Sequence, residues 1–211
     1  MGLPVSLFAR FLAHDRSRVF EPNVRVGSQS AGGRTAPSPA CIMMAIRTNA
    51  MAHHPAFEKK ICPPGELPAR VLELSRPLVF TNGVFDVLHR GHVTYLAESG
   101  ALGSSLLVAL NSDASARQLG KGPNRPINTL EDRLAVVAAL ASVSLATWFE
   151  QDTPLQLILG CRPEVLVKGG DWPIDKIVGG REVAGWGGRV VSIPFRFERS
   201  TTSLISRIRK S

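Results

Sequence analysis

The chain has 211 residues, 44% of them hydrophobic, and a formal net charge of +8. This length allows one substantial hydrophobic core and leaves little room for two large domains. No apolar run approaches the roughly 18 to 20 residues of a membrane-spanning helix, and the start of the chain lacks the apolar core of a secretory signal. We therefore expect a soluble, cytoplasmic protein with no membrane partner.

The positions of the charged residues and of the cysteines indicate which kinds of partner and which redox compartment to expect. Residues 1–50 hold six Arg and two acidic residues, so half of the positive excess lies there. Elsewhere the basic residues are scattered among acidic ones. A surface that stacks nucleic-acid bases requires aromatic residues between the basic ones, and this sequence has no such pattern. Cys41, Cys62 and Cys161 lie far apart without C-x-x-C spacing, which predicts neither a disulfide framework nor a zinc site. We expect an anionic small-molecule partner, no nucleic acid, and a reducing compartment.

The first 50 residues differ in composition from the rest. They include VGSQSAGGRTAPSPA, a stretch without the period of a helix or a strand. We predict a disordered extension over residues 1–50 and one domain over residues 51–211. Two explanations of the extension remain open: an Arg-rich transit peptide, or a translation start assigned too far upstream of Met43, Met44 or Met51. The absence of an amphipathic stripe favours the second.

From Pro77 onward, strand and helix patterns alternate. In chain order they are a strand at 77–83, a helix at 92–102, a strand at 105–112, a loop at 120–128, a helix at 129–143, a strand at 144–150, a short helix at 153–160, a strand at 164–170, a helix at 181–187, a strand at 189–195 and a helix at 201–210. The helix at 129–143 has two candidate capping boxes, Asn128 with Glu131 and Thr129 with Asp132. This alternation predicts an α/β fold, a parallel sheet with helices on both faces, and a ligand site at the carboxyl ends of the strands.

The motif TNGVFDVLHRGH, residues 81–92, follows the first strand and opens a helix. A helix start after a strand presents unpaired amides and a positive dipole end to phosphate oxygens. Gly91 lets the backbone approach a bulky ligand, and His89 and His92, three residues apart, point toward the same oxygens. Nucleotidyl transfer depends mainly on positioning and on neutralising charge around phosphorus. The motif therefore predicts a site that binds and transfers phosphate groups.

The two histidines have two other interpretations. They are incidental polar residues at a helix start, or they are zinc ligands. No Cys, Asp or Glu stands at a spacing typical of a zinc motif, so the metal interpretation ranks lowest. The order of strand, TNG turn, H-x-G-H and helix favours the phosphate interpretation.

From about Phe57 to Arg209, the sequence resembles the cytidylyltransferase-like nucleotidyltransferases, and within them the bacterial D-glycero-β-D-manno-heptose 1-phosphate adenylyltransferases. The resemblance is carried by FTNGVFDVLHRGHVTYL, LNSDASARQLGKGPNRPINTLEDRLAVVAAL, EVLVKGGDW, GREV followed by GWGG, and STTSLI. It implies a Rossmann-like α/β nucleotidyltransferase fold, ATP as donor, Mg²⁺ with the triphosphate, and a homodimer. It further implies transfer of AMP to the heptose 1-phosphate, which gives ADP-heptose for the lipopolysaccharide inner core, and pyrophosphate.

The resemblance also implies a role for each matching residue. The predicted catalytic residues are His89, His92 and Lys121. The residues predicted to bind the nucleotide are Thr81, Asn82, Gly83, Phe85, Asp86, Gly91, Lys168, Gly169, Ser200, Thr201 and Thr202. The residues predicted to bind the sugar phosphate are Asp113, Arg125, Arg133, Asp171 and Trp172. No side chain is assigned to a metal. A surface charge remains the alternative for Arg133, a helix cap for Asp113, and a solvated loop for Lys121 and Arg125.

The chain departs from the family pattern at three points. Trp172 stands where the heptose enzymes usually have Tyr, and FERSTTSLI keeps only the later part of the cytidylyltransferase signature R-T-x-G-I-S-T-T. The chain is also too short to include the sugar-kinase domain of many heptose enzymes, so a separate kinase is expected. Two rival functions follow: a nucleotidyltransferase acting on another alcohol phosphate, such as glycerol 3-phosphate, and a catalytically silent nucleotide-binding protein.

Overall fold

The computed structural model of the chain describes residues 55–120, 122, 124–170, 172–197, 201–208 and 210. The predicted extension at 1–50 and the predicted site residues Lys121, Asp171 and Ser200 lie outside the described residues. Those predictions, together with the domain boundary at residue 51, therefore stay predictions.

The described residues form a five-stranded sheet in which every neighbouring pair of strands is parallel. The strands are β1 (Leu78–Gly83), β2 (Ser105–Asn111), β3 (Leu145–Phe149), β4 (Val165–Gly169) and β5 (Arg189–Ile193). Their order in the sheet is β3-β2-β1-β4-β5. All seven residues of β2 are buried, as expected of a near-continuous apolar strand that is covered on both faces.

Helices cover both faces of this sheet. They are α1 (Leu67–Leu72), α2 (Arg90–Gly100), α3 (Asp113–Gln118), α4 (Leu130–Ala138), α5 (Leu155–Cys161), α6 (Gly180–Gly185) and α7 (Thr201–Ile208), with short 3₁₀ helices at Ala56–Lys60 and Ile174–Lys176. Neighbouring residues of β1 point into different hydrophobic clusters: Leu78 and Phe80 into one, Val79 into the other. The predicted parallel sheet with helices on both faces is confirmed.

The elements predicted from the sequence are present, with some differences at their ends. Helix α4 ends at Ala138, five residues earlier than predicted, and α1 and α3 were not predicted. Of the two candidate capping boxes, Thr129 is the cap, because its hydroxyl accepts the backbone N–H of Asp132. Asn128 donates its own backbone N–H to Asp86 instead. None of the described helices combines the length and the apolar character that crossing a membrane requires.

The strand order changes direction between β1 and β4. From β1 the chain builds outward to β2 and β3, then returns to place β4 on the other side of β1. In parallel sheets the crevice at such a switch point, outside the carboxyl ends of the strands, is the usual ligand site. Here that crevice lies between Asn82 at the end of β1 and Lys168 near the end of β4.

Candidate active site

A cavity of about 630 Å³ opens at the carboxyl ends of β1, β2 and β4. Ten of the residues predicted for the site line it: Asn82, Gly83, Phe85, Asp86, His92, Arg125, Lys168, Gly169, Trp172 and Thr201. Six more described residues from the prediction lie outside its lining: Thr81, His89, Gly91, Asp113, Arg133 and Thr202. The cavity is of the size that small-molecule and nucleotide ligands occupy.

The two histidines of the motif stack at the start of α2. His89 is the residue before the helix, with an extended backbone, and His92 is in the first turn. Their ring centroids are 3.9 Å apart with 20° between the ring planes. The edge of the Phe85 ring also meets His92, with centroids 5.6 Å apart at 74°. His92 thus faces the cavity with His89 directly behind it.

Gly91 permits this stack. A Cβ at residue 91 would lie 3.0 Å from two atoms of the His89 ring. The atoms nearest to that Cβ belong to the His89 ring, and the prediction that Gly91 also lets the backbone approach a ligand stays a prediction. A side chain here would displace the ring and break the stack with His92.

Asp86 ties the first-strand loop to the loop that precedes α4. Its buried carboxylate accepts the backbone N–H groups of Ile127 at 2.8 Å and Asn128 at 2.9 Å, and lies 2.7 Å from Nε of Arg125. The side-chain amide of Asn128 donates to the backbone carbonyl of Asp86 at 2.6 Å. Asp86 is thus committed to protein groups and fixes the loop that contains Arg125 at the cavity wall.

Phe85 has a backbone φ of 48°, in the left-handed region that side chains other than glycine rarely adopt. Its buried ring lies close to Gly83, where an added Cβ would come within 3.0 Å of the ring. A strained residue of this kind persists only where its surroundings hold it, and such residues concentrate at functional sites.

Arg133 is completely buried, and its guanidinium donates four hydrogen bonds to protein oxygens. The acceptors are the carbonyls of Asn128, Val84 and Asn111 and the carboxylate of Asp113. The surface-charge interpretation is therefore wrong, because a helix position that faces the sheet, not the solvent, carries the side chain inward. The guanidinium is directed at protein oxygens and lies outside the cavity lining, which does not support the predicted contact with substrate.

Asp113 is paired with Arg133 at 2.7 Å. The cap of α3 is Ser112, whose hydroxyl accepts the N–H of Ser115 at 3.1 Å. Asp113 is therefore not the helix cap, and its contact with the acceptor stays a prediction. Its carboxylate serves as the counter-ion of a buried arginine.

The ends of β1 and β4 bring polar groups together at the switch point. Nζ of Lys168 donates to the side-chain oxygen of Asn82 at 3.4 Å. The next residue, Gly169, accepts a hydrogen bond from the indole N–H of Trp172 at 3.1 Å, and this bond holds the ring at the cavity edge. A tyrosine at position 172 has its polar group at a different place, so the departure from the family pattern changes this anchor.

Tyr95 joins the histidine helix to the sheet. Its hydroxyl lies 2.5 Å from the hydroxyl of Thr81, which is fully buried. Its ring meets the edge of Phe195, with centroids 5.8 Å apart. Burial raises the pKa of Tyr95 to about 12, so the hydroxyl stays protonated at neutral pH. Thr81 is thus hydrogen-bonded to Tyr95 and lies outside the cavity lining, which does not support its predicted contact with the nucleotide.

The last helix closes the cavity beside the histidine motif. Thr201, its first residue, donates from its hydroxyl to the Val87 carbonyl at 3.2 Å and lines the cavity. Thr202 is exposed outside it. The preceding segment is held to α2 by Arg90, whose guanidinium carbon lies 4.0 Å from the Phe197 ring centroid, and by an ion pair of 2.7 Å between Arg196 and Glu98.

Several polar residues of the cavity wall were not predicted: Tyr95, Asn111, Asp152, Thr153 and Lys176. Three of them could have been predicted from the rule that ligands bind at the carboxyl ends of strands. Asn111 ends β2, and Asp152 and Thr153 closely follow β3. Tyr95 and Lys176 carried no such signal. In the sequence, a tyrosine on a helix that packs against the sheet looks the same whether it lines a cavity or belongs to the core.

Comparison with known proteins agrees with this geometry. Residues 80–207 match the model of the cytidylyltransferase-like family. The D-beta-D-heptose 1-phosphate adenylyltransferase of Bordetella bronchiseptica is 54% identical over 156 residues, which cover 73% of this chain and 96% of that protein.

The bifunctional protein HldE of Hahella chejuensis is 50% identical over 133 residues, which cover 63% of this chain and 28% of that protein. The solved structure of a lipopolysaccharide core biosynthesis protein from Thermoplasma volcanium is 29% identical and has a TM-score of 0.47, with 58% of this chain and 98% of that chain covered. The family model spans more than half of the chain, and the Bordetella relative is covered over nearly its full length. The chain belongs to the cytidylyltransferase-like family.

Proposed function

We propose that the protein transfers AMP from ATP to D-glycero-β-D-manno-heptose 1-phosphate, producing ADP-heptose for the lipopolysaccharide inner core and releasing pyrophosphate. The observation that carries the proposal is the 54% identity to the Bordetella relative across 96% of its length, since the name of that protein specifies a heptose 1-phosphate acceptor. The cavity at the switch point of the sheet, with His92 in its wall, supports it.

The reaction is an in-line displacement at the α-phosphorus of ATP. An oxygen of the acceptor phosphate forms the new bond, the bond from the α-phosphorus to the bridging oxygen of the β-phosphate breaks, and pyrophosphate leaves with that electron pair. No covalent enzyme intermediate is needed, because the acceptor phosphate is already an anionic nucleophile. The protein contributes by positioning both substrates and stabilising charge on the phosphorus oxygens.

The cationic and donor groups of the site suit this task. His92, backed by His89, and the amides at the start of α2 lie where triphosphate oxygens would bind. Lys168 approaches from the end of β4, and Arg125 from the loop that Asp86 holds. We propose that Lys121 and Ser200 add a charge and a hydroxyl to the same oxygens, and that Asp171 contacts the sugar phosphate.

Mg²⁺ would accompany ATP and would neutralise part of the triphosphate charge. Within the described residues no three His, Cys, Asp or Glu side chains form a group that could hold a metal ion. Mg²⁺ usually keeps several waters and is bound by one or two carboxylates together with substrate phosphates. Triphosphate oxygens and water would therefore supply most of its ligands here. Among the described residues of the cavity wall, Asp152 would supply a carboxylate, because the carboxylate of Asp86 is paired with Arg125.

Pyrophosphate release by the purified protein tests the function. ATP and CTP are each paired with the heptose 1-phosphate and with glycerol 3-phosphate, and His92→Ala is the control. Release with ATP and heptose 1-phosphate alone, reduced by about a hundredfold or more but still measurable in the variant, supports the proposal. Release with CTP and glycerol 3-phosphate would move the chain to the cytidylyl branch, and no release with any pair would favour a nucleotide-binding protein without turnover.

We further propose that the protein is a cytoplasmic homodimer, on the family resemblance alone. Light scattering of the purified chain measures the oligomeric state.

The acceptor is a sugar 1-phosphate, so a kinase acting on the anomeric hydroxyl of the sugar must supply it.

A further inference from the structure

Arg133 joins two loops and the end of a strand without lining the cavity. Its guanidinium donates to Val84, in the loop after β1, to Asn111, at the end of β2, and to Asn128, in the loop before α4. A buried guanidinium is tolerated only when it is paired and hydrogen-bonded, and Asp113 supplies the pairing charge. Each of these three segments contributes residues to the cavity wall.

The loop after β1 is the strained one. Phe85 holds a φ of 48°, and it is fixed from both sides. On one side Nη1 of Arg133 donates to the Val84 carbonyl at 2.7 Å. On the other side Asp86 is held by the loop before α4, which Arg133 also grips through the Asn128 carbonyl at 3.2 Å. Strained backbone survives where the surrounding contacts over-determine it, and Arg133 contributes to both sets of contacts.

The strained residue, Phe85, also contacts His92, on which His89 stacks. The edge of the Phe85 ring meets the His92 imidazole with centroids 5.6 Å apart. The direction of that ring depends on the backbone angles of Phe85, so a relaxed loop would move the ring and remove the contact. A continuous path of contacts therefore runs from Arg133 through Val84 and Phe85 to His92.

We propose that Arg133 is a positioning residue for nucleotidyl transfer: it holds Val84 and Phe85 in the conformation that sets the His92 imidazole against the triphosphate. The proposal rests on the proposed function of this site. Since Arg133 acts through His92 and touches no substrate, its loss lowers kcat and leaves the KM values of both substrates nearly unchanged. A displacement of about 1 Å at a reacting centre costs roughly a hundredfold in rate.

A double-mutant cycle tests the path. Arg133→Lys retains the charge but loses the planar fork that reaches several acceptors at once. In the otherwise unchanged protein we expect it to lower kcat by about tenfold to a hundredfold, with KM values within about threefold. In a His92→Ala background the same substitution should cost less than about twofold, because residues that act as a unit are not additive.

Leu134→Ala is the matched control, since it removes a buried side chain from the next position of the same helix. It should lower the unfolding temperature while kcat of the folded protein stays the same. Three outcomes overturn the proposal: an equal loss from Arg133→Lys in both backgrounds, a raised KM with unchanged kcat, or an equal loss of kcat in Leu134→Ala. If the unchanged protein accepts a different nucleotide or acceptor, the proposed function fails, and the cycle is measured with the accepted pair.

Discussion

The carboxylate of Asp86 lies 2.7 Å from Nε of Arg125, and the side chains are 1% and 13% exposed. Asp86→Asn removes the charge and leaves a largely buried guanidinium without its counter-ion. We expect the free energy of unfolding to fall by about 3 kcal/mol, the lower end of the cost of breaking a buried pair, because Arg125 keeps some access to water. Urea denaturation of the variant and the unchanged protein measures the difference.

Adding Arg125→Met to Asp86→Asn provides the control for that experiment. With no unpaired charge left, part of the lost stability should return. If the cost of the double variant equals the sum of the two single costs, Asp86 and Arg125 are not energetically coupled.

Gly91→Ala should lower kcat by at least tenfold while the protein remains folded. The new Cβ would lie 3.0 Å from the His89 ring, so the ring must move away from His92. Pyrophosphate release and the unfolding temperature are measured together. Gly160→Ala is the matched substitution, because residue 160 lies in α5, is exposed, and has nothing within 4 Å of an added Cβ.

Gly160→Ala should raise stability by about 0.5 to 1 kcal/mol through helix propensity and should leave activity unchanged. A Gly91→Ala protein with full activity would show that the stacked arrangement of the histidines is not needed for the reaction.

Lys168→Met should lower kcat/KM for ATP by at least tenfold. The ammonium group lies at the switch point, 3.4 Å from the Asn82 side chain, where it can offset triphosphate charge. Initial rates across a range of ATP concentrations measure the effect, and Lys59→Met, on an exposed residue away from the cavity, is the control. Equal rates in both variants would show that Lys168 does not contribute to ATP binding or to the reaction.

Alkaline pH should destabilise the fold through buried thiols. Burial raises the pKa of the Cys161 thiol from 9.0 to about 12, and it also raises that of Cys62. The unfolded chain therefore loses these protons first. The stabilisation is fully present below pH 9 and is lost as the pH rises toward 12. At pH 10, about one unit above the ordinary pKa, the Cys161 thiol alone should cost about 1 kcal/mol.

Cys161→Ala isolates this effect. Urea denaturation at pH 7.5 and pH 10 gives the change in the free energy of unfolding for both proteins, and the variant should show the smaller change. Tyr95 titrates in the same direction, but its ordinary pKa is 10.0 and it is present in both proteins, so it does not contribute to a difference between them. Equal changes in the two proteins would refute the assignment to Cys161.

The fold could be predicted from the sequence because its signals are local. The apolar run of β2 and the helical spacing in α4 are properties of neighbouring residues, and the alternation of such segments predicted the parallel sheet. The strand order, and with it the switch point between β1 and β4, was not predicted. Helix α3 was missed because Asp113–Gln118 is short and carries no apolar period. The end of α4 was misplaced because Ala139 to Val143 continue an apolar pattern beyond the last helical residue.

The site was predicted less completely, because its polar contacts span long distances in the chain. Nothing near Arg133 indicates that one of its acceptors is the carbonyl of Val84, 49 residues earlier. The same holds for Asp86, whose partners in the loop before α4 are backbone amides that every residue there presents equally. Motif resemblance identified the residues, and only the three-dimensional arrangement separated those at the cavity wall from those behind it.

The position of β1 at the centre of the sheet has a consequence for synthesis on the ribosome. The chain emerges from its amino end, so β1, β2 and β3 can pair while β4, β5 and the last helix are still being made. Thr201 reaches Val87 across 114 residues. The nucleotide cavity is therefore the last part of the domain to be completed, and a nascent chain that stalls before Thr201 lacks the wall that closes it.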